Sequence, residues 1–416
     1  MTVEPPLAWR PLTLALLALV FAVNFMDRQI VAILAEPIKR ELELSDAQVG
    51  LLYGLAFGVV YSAAGIPLAR WADRANRATV ISACLALFSV MTMACGLAAG
   101  YVQLVLARIG VALGEGGTNP ASHSLIADLY PEARRGTAMA LFALGPNAGI
   151  LLAFAFGGAI GQAWGWRAAL VAMGAAGLAL AALTAWLLED APRSAARAPL
   201  PGTLAQCLRE LLARRSLRHL LLAVIPVSIT AYAAIGWLPA FLIRSHGMGT
   251  AAAGGALALL LGVLGGIGTL AGGVLADRLG ARNPAWRLRV VAAGFALTLP
   301  LWPAALLVSD KTLALAFLAL PCAVLCFYLA PTFAAVQSLA TPGTRALAAA
   351  LFIMIGSVAG LGIGPLAVGL LSDALRPGYG TDSLRLAMLL IVPLLAWSAA
   401  HYHLAGRSLA ADLARR

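Results

Sequence analysis

Twelve runs of predominantly apolar residues recur along the chain, and each is about as long as a helix that crosses a bilayer. A helix rises ~1.5 Å per residue, so about 20 apolar residues span the hydrocarbon core. Hydrophobic residues make up 61% of the chain and charged residues only 11%, whereas soluble domains carry about 25% charged residues. We therefore predict an all-α integral membrane protein with twelve transmembrane helices, at approximately residues 11–35, 47–69, 78–99, 101–125, 137–160, 166–188, 218–242, 252–276, 288–308, 312–336, 345–372 and 384–404.

One long polar connection interrupts this series, between the sixth and the seventh run. It covers residues 189–217, contains three prolines and a glycine, and ends in an amphipathic stretch at 204–212 that is suited to the membrane surface. The chain is thus predicted to divide into an N-terminal six-helix bundle, 1–188, and a C-terminal six-helix bundle with a short tail, 218–416. A cytoplasmic linker with an amphipathic helix, 189–217, joins the two bundles.

The basic residues are distributed unevenly between the two sets of loops. Most of the 29 Lys and Arg residues fall in alternate connections, beginning with the N-terminal segment. Cytoplasmic loops of membrane proteins are enriched in Lys and Arg. Both termini are therefore predicted to be cytoplasmic. Nucleic-acid binding is not expected despite the net charge of +11, because the arginines are scattered in short clusters between apolar runs.

A short charged motif occurs twice, after the second apolar run and after the eighth. Each copy carries an Asp-Arg pair followed by another arginine, and topology-setting charge alone would explain the arginines but not the repeated aspartate. Repeated halves with a site between them are a common transporter construction. We predict a conformational latch, in which the acid caps a helix and the arginines bind carbonyl groups or acids. The predicted latch residues are Asp73, Arg74, Arg77, Asp277, Arg278 and Arg282.

The second copy of this motif resembles the Gly-x-x-x-Asp-Arg-x-Gly-x-Arg loop of the major facilitator superfamily. Its glycines stand at Gly273 and Gly280, whereas Ala69 and Asn76 replace them in the first copy. The resemblance implies two pseudo-symmetric six-helix bundles that rock about a central site.

Ionisable side chains lie inside two of the apolar runs, where each costs about 2.5–3.5 kcal/mol near the bilayer centre. Asp27 and Arg28 lie in the first run, and Arg108 and Glu115 lie seven residues apart, on one helix face, in the fourth. Such residues usually mark substrate or proton pathways. We predict that Asp27 or Glu115 takes up a coupling proton, while the arginines tune the pKa of that acid and attract an anionic group. A fixed ion network between the two helices is the alternative, and the two roles are compatible.

Polar and aromatic side chains complete the predicted site. The first half contributes four candidates for substrate binding or pKa tuning: Asn24, Tyr53, Asn119 and His123. His123 could relay a proton or pack with a hydrogen bond. The second half has no acid inside an apolar run and offers aromatic residues instead, although most of them are expected to pack. A cavity with one charged and one aromatic wall suits an amphipathic substrate with an anionic head; the second-half candidates are Tyr232, Trp237 and Tyr328.

Three stretches resemble the spinster family of transporters. Residues 24–28, Asn-Phe-Met-Asp-Arg, are similar to the family's Asn-Tyr-x-Asp-Arg, residues 108–129 resemble its fourth helix, and residues 236–248 resemble the end of the seventh helix in bacterial members. The resemblance implies proton-linked export of lysophospholipids or sphingosine-1-phosphate-like lipids, with the four membrane-embedded charges at the coupling and substrate site. It also implies a location in a bacterial cytoplasmic membrane. Relatives of that family also include organic-acid carriers of similar layout.

The sequence thus predicts a proton-coupled secondary active transporter that works by alternating access and exports an amphipathic anionic lipid. A proton-linked carrier of small organic acids and an uncoupled lipid facilitator or scramblase are the alternatives. An enzyme is not expected, because no nucleophile–base pair, phosphate-binding loop or metal-ligand spacing is present; Cys322 and Cys326 lack a histidine or acidic neighbour. We expect a monomer with no metal and no cofactor other than protons, and with the bilayer and an organic anion as partners.

Overall fold

The computed structural model describes residues 9–193, 202–341 and 343–414, and within these ranges the chain forms helices and no strand. Helices are favoured because a bilayer offers the backbone no hydrogen-bond partners, so each segment must satisfy its own N–H and C=O groups. The helices are α1 Trp9–Ile33, α2 Ala35–Glu41, α3 Asp46–Tyr53, α4 Leu55–Arg74, α5 Arg77–Gly96, α6 Tyr101–Leu129, α7 Glu132–Phe142, α8 Gly145–Leu187, α9 Leu204–Ala213, α10 Arg215–His246, α11 Thr250–Leu257, α12 Leu264–Arg282, α13 Trp286–Thr298, α14 Leu301–Leu307, α15 Lys311–Phe327, α16 Leu329–Leu339, α17 Arg345–Ser357, α18 Gly364–Tyr379, α19 Ser383–Ile391 and α20 Pro393–Ala414. Single π-helical turns, Ala258–Val263 and Val358–Ile363, join α11 to α12 and α17 to α18.

Nine segments of the described chain are long and apolar enough to cross a membrane. Two of them exceed a single crossing: Arg134–Leu187 has 54 residues and Leu347–Ala414 has 68. The first of these contains a break at Gly165, whose φ of 85° is not helical. α6 has 29 residues and lies outside the nine. The predicted all-α membrane fold is confirmed, while the number of twelve spans and the cytoplasmic termini stay predictions.

Polar side chains at the short connections define where several helices begin. Ser45 and Gln48 form a reciprocal capping box at the start of α3. The side chain of Asn76 accepts a hydrogen bond from the Thr79 amide at 3.1 Å, at the start of α5. Such caps satisfy amide groups that have no partner inside the helix, so they separate one apolar run from the next.

The chain separates into two compact units by packing, and the predicted division into two six-helix halves stays a prediction. Unit 1 comprises Met1–Ala195 and Leu238–Gly262, and unit 2 comprises Ala196–Trp237 and Val263–Arg416. The end of α10 and all of α11 therefore group with unit 1. The reason is a close approach of α11 to α8: a Cβ atom on Gly254 would lie 2.2 Å from the Phe154 carbonyl oxygen. Small residues permit such backbone contact between membrane helices.

Within unit 1, α8 packs along α1, and α5 packs against both α6 and α8. Gly149 of α8 allows the approach to α1, because a Cβ atom there would lie 2.3 Å from the Ala22 carbonyl oxygen. α4 also packs on α6. This arrangement places the charged stretch of α1 beside the charged face of α6.

Within unit 2, α12 packs on α15 and α13 packs on α20. An aromatic group fills the space between these helices, with ring centroids of Phe295, Tyr328 and Tyr402 5.8 to 6.5 Å apart. The hydroxyls of Tyr402 and Thr332 are hydrogen-bonded at 2.8 Å. Unit 2 therefore has an enclosed aromatic core of its own.

Candidate functional site

Four ionisable side chains from α1 and α6 meet inside unit 1 as two ion pairs. The Arg28 Nε atom lies 2.5 Å from Glu115 Oε2, and the Arg108 Nη1 atom lies 3.0 Å from Asp27 Oδ2. None of the four residues is more than 8% exposed. We call this set the charged cluster: Asp27, Arg28, Arg108 and Glu115.

Helix geometry explains how two neighbouring residues of α1 reach two separated residues of α6. Arg108 and Glu115 are seven residues apart, which is about two turns and ~10.5 Å along one face of α6. Asp27 and Arg28 are adjacent and diverge by ~100° around α1. Asp27 therefore reaches Arg108, and Arg28 reaches Glu115.

Other residues of unit 1 complete the surroundings of the charged cluster. The Thr92 hydroxyl of α5 is within hydrogen-bond reach of both Asp27 Oδ1 and the Phe88 carbonyl oxygen. The Arg28 guanidinium lies 4.3 Å from the ring centre of Tyr61, and the Arg108 guanidinium lies 4.9 Å from that of Phe57. Aromatic faces attract a guanidinium, most strongly where water is excluded.

Sequence reasoning missed these neighbours for a physical reason. A threonine within a helix commonly bonds a carbonyl of the preceding turn, so Thr92 carries no distinct signal in an apolar run. Phe57 and Tyr61 lie one turn apart on α4, which is also ordinary core spacing. Their role depends on the packing of α4 and α5 around α6.

A second polar chain connects Asn24 to Glu115 through Thr118. The Asn24 Nδ2 atom donates to the Thr118 hydroxyl at 3.2 Å, and that hydroxyl donates to the Glu115 carbonyl oxygen at 3.0 Å. Among the described residues, Asn24 Oδ1, Asn119 Oδ1 and Glu115 Oε1 are buried and have no hydrogen-bond partner. Buried acceptors without a partner are rare in native proteins.

The charged cluster is electrically balanced, with two carboxylates and two guanidinium groups. In a buried site, removing the charge of one partner leaves the other uncompensated, at a cost of about 3–5 kcal/mol. Protonation of Glu115 would thus leave the charge of Arg28 without its partner and would make the cluster attract an anion.

The remaining first-half candidates lie at different distances from this centre. The Asn119 side chain is partly buried, and its position on α6 follows Thr118 directly. His123 is exposed, and the edge of its ring faces Phe142 at 5.1 Å. The side chain of Tyr53 lies outside the described part of the structure. The roles predicted for these three residues stay predictions.

The second-half candidates belong to unit 2, where two of them are enclosed. Trp237 is fully buried, and its indole Nε1 donates to the Pro365 carbonyl oxygen at 2.9 Å. Tyr328 is part of the aromatic core described above. Tyr232 is partly buried beside Gly360, where a Cβ atom would lie 2.3 Å from its ring. The contacts of Trp237 and Tyr328 are those of packing residues, and substrate binding by the three stays a prediction.

The predicted latch residues differ in their surroundings. Arg77 is buried, with its Nε atom 2.6 Å from Asp190 Oδ1 and a hydrogen bond of 2.5 Å to the Ala191 carbonyl oxygen. It also pairs with Asp128, and all three partners belong to unit 1. The other five, which are exposed, are Asp73, Arg74, Asp277, Arg278 and Arg282. The structure therefore makes Arg77 an anchor inside unit 1, and the latch stays a prediction.

A further charge network, which sequence reasoning did not identify, surrounds Arg244 of α10. Its Nε atom lies 2.6 Å from Glu36 Oε1, and its two terminal nitrogens lie 2.8 and 2.7 Å from the oxygens of Asp46. Lys39 also pairs with Asp46. The partners of Arg244 are about 200 residues away in the sequence, so only packing brings them together.

The chain matches a known protein family and is similar to known transport proteins. The family model of the Major Facilitator Superfamily matches residues 17–365. An "MFS-type efflux pump" of Mycolicibacterium smegmatis is 38% identical over 391 residues, which cover 93% of this chain and 90% of that protein. A "Gallate transporter" of Pseudomonas putida is 27% identical over 336 residues, covering 71% of this chain and 70% of that protein.

A solved structure is similar over nearly the whole chain. A bacterial homolog of the human lysosomal transporter Spinster, in an inward-facing and unoccupied conformation, superimposes with a TM-score of 0.89 and 30% identity. The match covers 98% of this chain and 99% of that one. The predicted resemblance to the spinster family is therefore confirmed.

Proposed function

Because the chain belongs to the Major Facilitator Superfamily, we propose that it is a proton-coupled secondary transporter of an organic anion, with the charged cluster as its coupling and anion-binding site. Membership makes the chain a multi-pass membrane transporter and not an enzyme. The proposal adds the coupling ion, the substrate class and the residues that act.

One observation carries the proposal: each arginine of the charged cluster is paired with a buried acid. While both pairs are intact, an added anion would give the cluster a net negative charge in a low-dielectric site, which is costly. A proton on Glu115 removes that obstacle, because Arg28 can then exchange its carboxylate partner for the substrate anion. Proton and anion bind together at no change in net charge, and the pairs re-form when both leave.

Two narrower substrate classes are candidates. The resemblance of residues 24–28, 108–129 and 236–248 to the spinster family implies an amphipathic anion, such as a lysophospholipid or a sphingosine-1-phosphate-like lipid, carried by alternating access. The likeness to a gallate transporter supports a small organic acid. Both classes present a carboxylate or phosphate that a guanidinium can bind.

The coupling is tested with purified protein in proteoliposomes under an imposed pH gradient. We expect Glu115→Gln and Asp27→Asn to reduce gradient-driven anion flux at least tenfold, since neither amide can exchange a proton. Exchange of labelled for unlabelled substrate without a gradient should persist in at least one variant. The matched control is Glu210→Gln, which changes an exposed residue of α9. Full gradient-driven flux in both site variants would refute the proposal.

The substrate class is tested by competition in the same assay. Lysophospholipids and sphingoid phosphates are compared with their tail-less head groups and with short organic acids. Stronger inhibition by the tailed compounds would support the lipid class. Equal inhibition by tail-less analogues would exclude it and leave the organic-acid class.

A further inference from the structure

Two acceptor atoms of the site, Asn24 Oδ1 and Glu115 Oε1, are buried without a partner among the described residues. Asn24 is 1% exposed and Glu115 is 0% exposed. The other carboxylate oxygen of Glu115 already accepts a hydrogen bond from Arg28. The free oxygens therefore need a donor that no residue of the described part of the chain supplies.

The orientation of the Asn24 amide follows from its neighbour. The Thr118 hydroxyl has a single hydrogen, which it donates to the Glu115 carbonyl oxygen. Its oxygen can then only accept, so the NH₂ group of Asn24 must face it. The carbonyl of the Asn24 amide is consequently turned away from Thr118. Asn24 and Arg28 lie one turn apart on α1, and Glu115 and Thr118 lie about one turn apart on α6. Since Asn24 bonds to Thr118 and Arg28 bonds to Glu115, the two free acceptors belong to one region of the α1–α6 contact.

We propose that Asn24 Oδ1 and Glu115 Oε1 form a subsite for a hydroxyl group of the substrate, beside the anionic group bound by Arg28. This inference rests on the proposed function. A hydroxyl is a donor and an acceptor at once: its hydrogen is donated to Asn24 Oδ1, and its oxygen accepts the hydrogen of protonated Glu115. The transported anion therefore carries a hydroxyl close to its carboxylate or phosphate, and Asn24 selects for it.

The hydroxyl also connects recognition to coupling. A carboxylate form of Glu115 has no hydrogen to donate, so the complete arrangement exists only when Glu115 is protonated. An anion without the hydroxyl would leave Asn24 Oδ1 unpaired in the bound state. Sites built to bind a hydroxyl discriminate strongly against analogues that lack it, because their own polar groups are left unpaired.

The test compares matched pairs of anions as competitors of gradient-driven flux in proteoliposomes. The pairs are lactate with propionate, glycerate with 3-hydroxypropionate, and lysophosphatidate with its 2-deoxy analogue. We expect the protein to prefer the hydroxylated member of at least one pair by about tenfold or more. Asn24→Leu should abolish that preference by weakening only the hydroxylated member, and Thr118→Val should reduce it because the amide is no longer oriented. Asn283→Leu, in an exposed loop, serves as control, and the thermal midpoint of each variant monitors folding.

Three results would overturn the inference. Equal affinity for both members of every pair, in a protein that still shows proton-driven anion flux, removes the subsite and leaves the proposed function standing. An Asn24→Leu variant that shifts the pH dependence of flux without changing the preference would show that Asn24 accepts the Glu115 hydrogen directly. Absence of proton-driven flux for any anion in the unmodified protein would refute the proposed function itself.

Discussion

The buried arginines of unit 1 differ in the kind of partners that the structure places around them. Arg28 pairs with Glu115, Arg108 pairs with Asp27, and both guanidinium groups face aromatic rings; under the proposed function, a substrate anion would replace the acid. Arg77 instead binds two acids and a carbonyl oxygen, and no simple exchange would satisfy all three. We infer that the first two serve transport and that Arg77 serves stability.

This difference predicts the effect of removing Arg77. Arg77→Met should lower the free energy of unfolding by about 3 kcal/mol, because it removes the guanidinium that binds the partly buried Asp128 and Asp190. Arg74→Met, at the exposed end of α4, should change it by less than about 0.5 kcal/mol. The midpoints of thermal unfolding in detergent measure the contrast. Equal midpoints for the two variants would contradict the assignment.

At the scale of elements, a polar contact joins α2 to α8 next to the break at Gly165. The Trp166 indole donates to Glu41 Oε2 at 2.6 Å, and Arg167 pairs with the other oxygen of that carboxylate. The bond from Trp166, followed by that from Arg167, lowers the pKa of Glu41 below its ordinary value of 4.5. The contact is exposed, so its contribution is small, but its dependence on pH has a definite sign.

Because the pKa of Glu41 is lower in the folded protein than in the unfolded chain, the contact stabilises the fold at any pH where Glu41 is ionised in both. The stabilisation is therefore complete above pH 4.5 and is lost as the pH falls through the lower pKa of the folded protein. At about pH 6, we expect the protein to have a higher midpoint of thermal unfolding than the Glu41→Gln variant. The difference between the two midpoints should shrink as the pH is lowered to about 3. Glu43→Gln controls for the loss of a neighbouring carboxylate. A difference that does not vary with pH would contradict the assignment.

At the scale of the whole molecule, the distribution of charge and the compact units describe different properties. The loop arginines predict the orientation, because positively charged loops usually stay in the cytoplasm. The units reflect packing instead: Leu238–Gly262 groups with unit 1, where α11 lies on α8 and Arg244 binds Glu36 and Asp46. The predicted halves, which are divided at the polar linker 189–217, place this segment in the C-terminal half instead.

Orientation yields a prediction for reporter fusions in bacterial cells. A fluorescent protein fused to the C-terminus should be bright, and alkaline phosphatase fused there should be inactive, because both report a cytoplasmic location. Fusions truncated after Lys311, in a loop predicted to be external, should show the opposite pattern. An active phosphatase at the C-terminus would indicate an odd number of spans after a cytoplasmic N-terminus.

The sequence by itself determined the class of the protein and the identity of its charged residues. Apolar runs of spanning length leave a chain no stable alternative to membrane helices, and the high cost of charge in a bilayer singles out the few ionisable residues inside them. The seven-residue spacing of Arg108 and Glu115 also predicts their common face, because helical period is a local property.

Only the tertiary structure decided which groups are partners. The pairing of Arg28 with Glu115 and of Arg108 with Asp27 depends on the register of α1 against α6, which close contacts of neighbouring helices set. The enclosure of Trp237, the anchoring of Arg77 and the network around Arg244 likewise join residues that are distant along the chain. Local pattern cannot encode such contacts, because a side chain's partners are chosen by the packing of several helices at once.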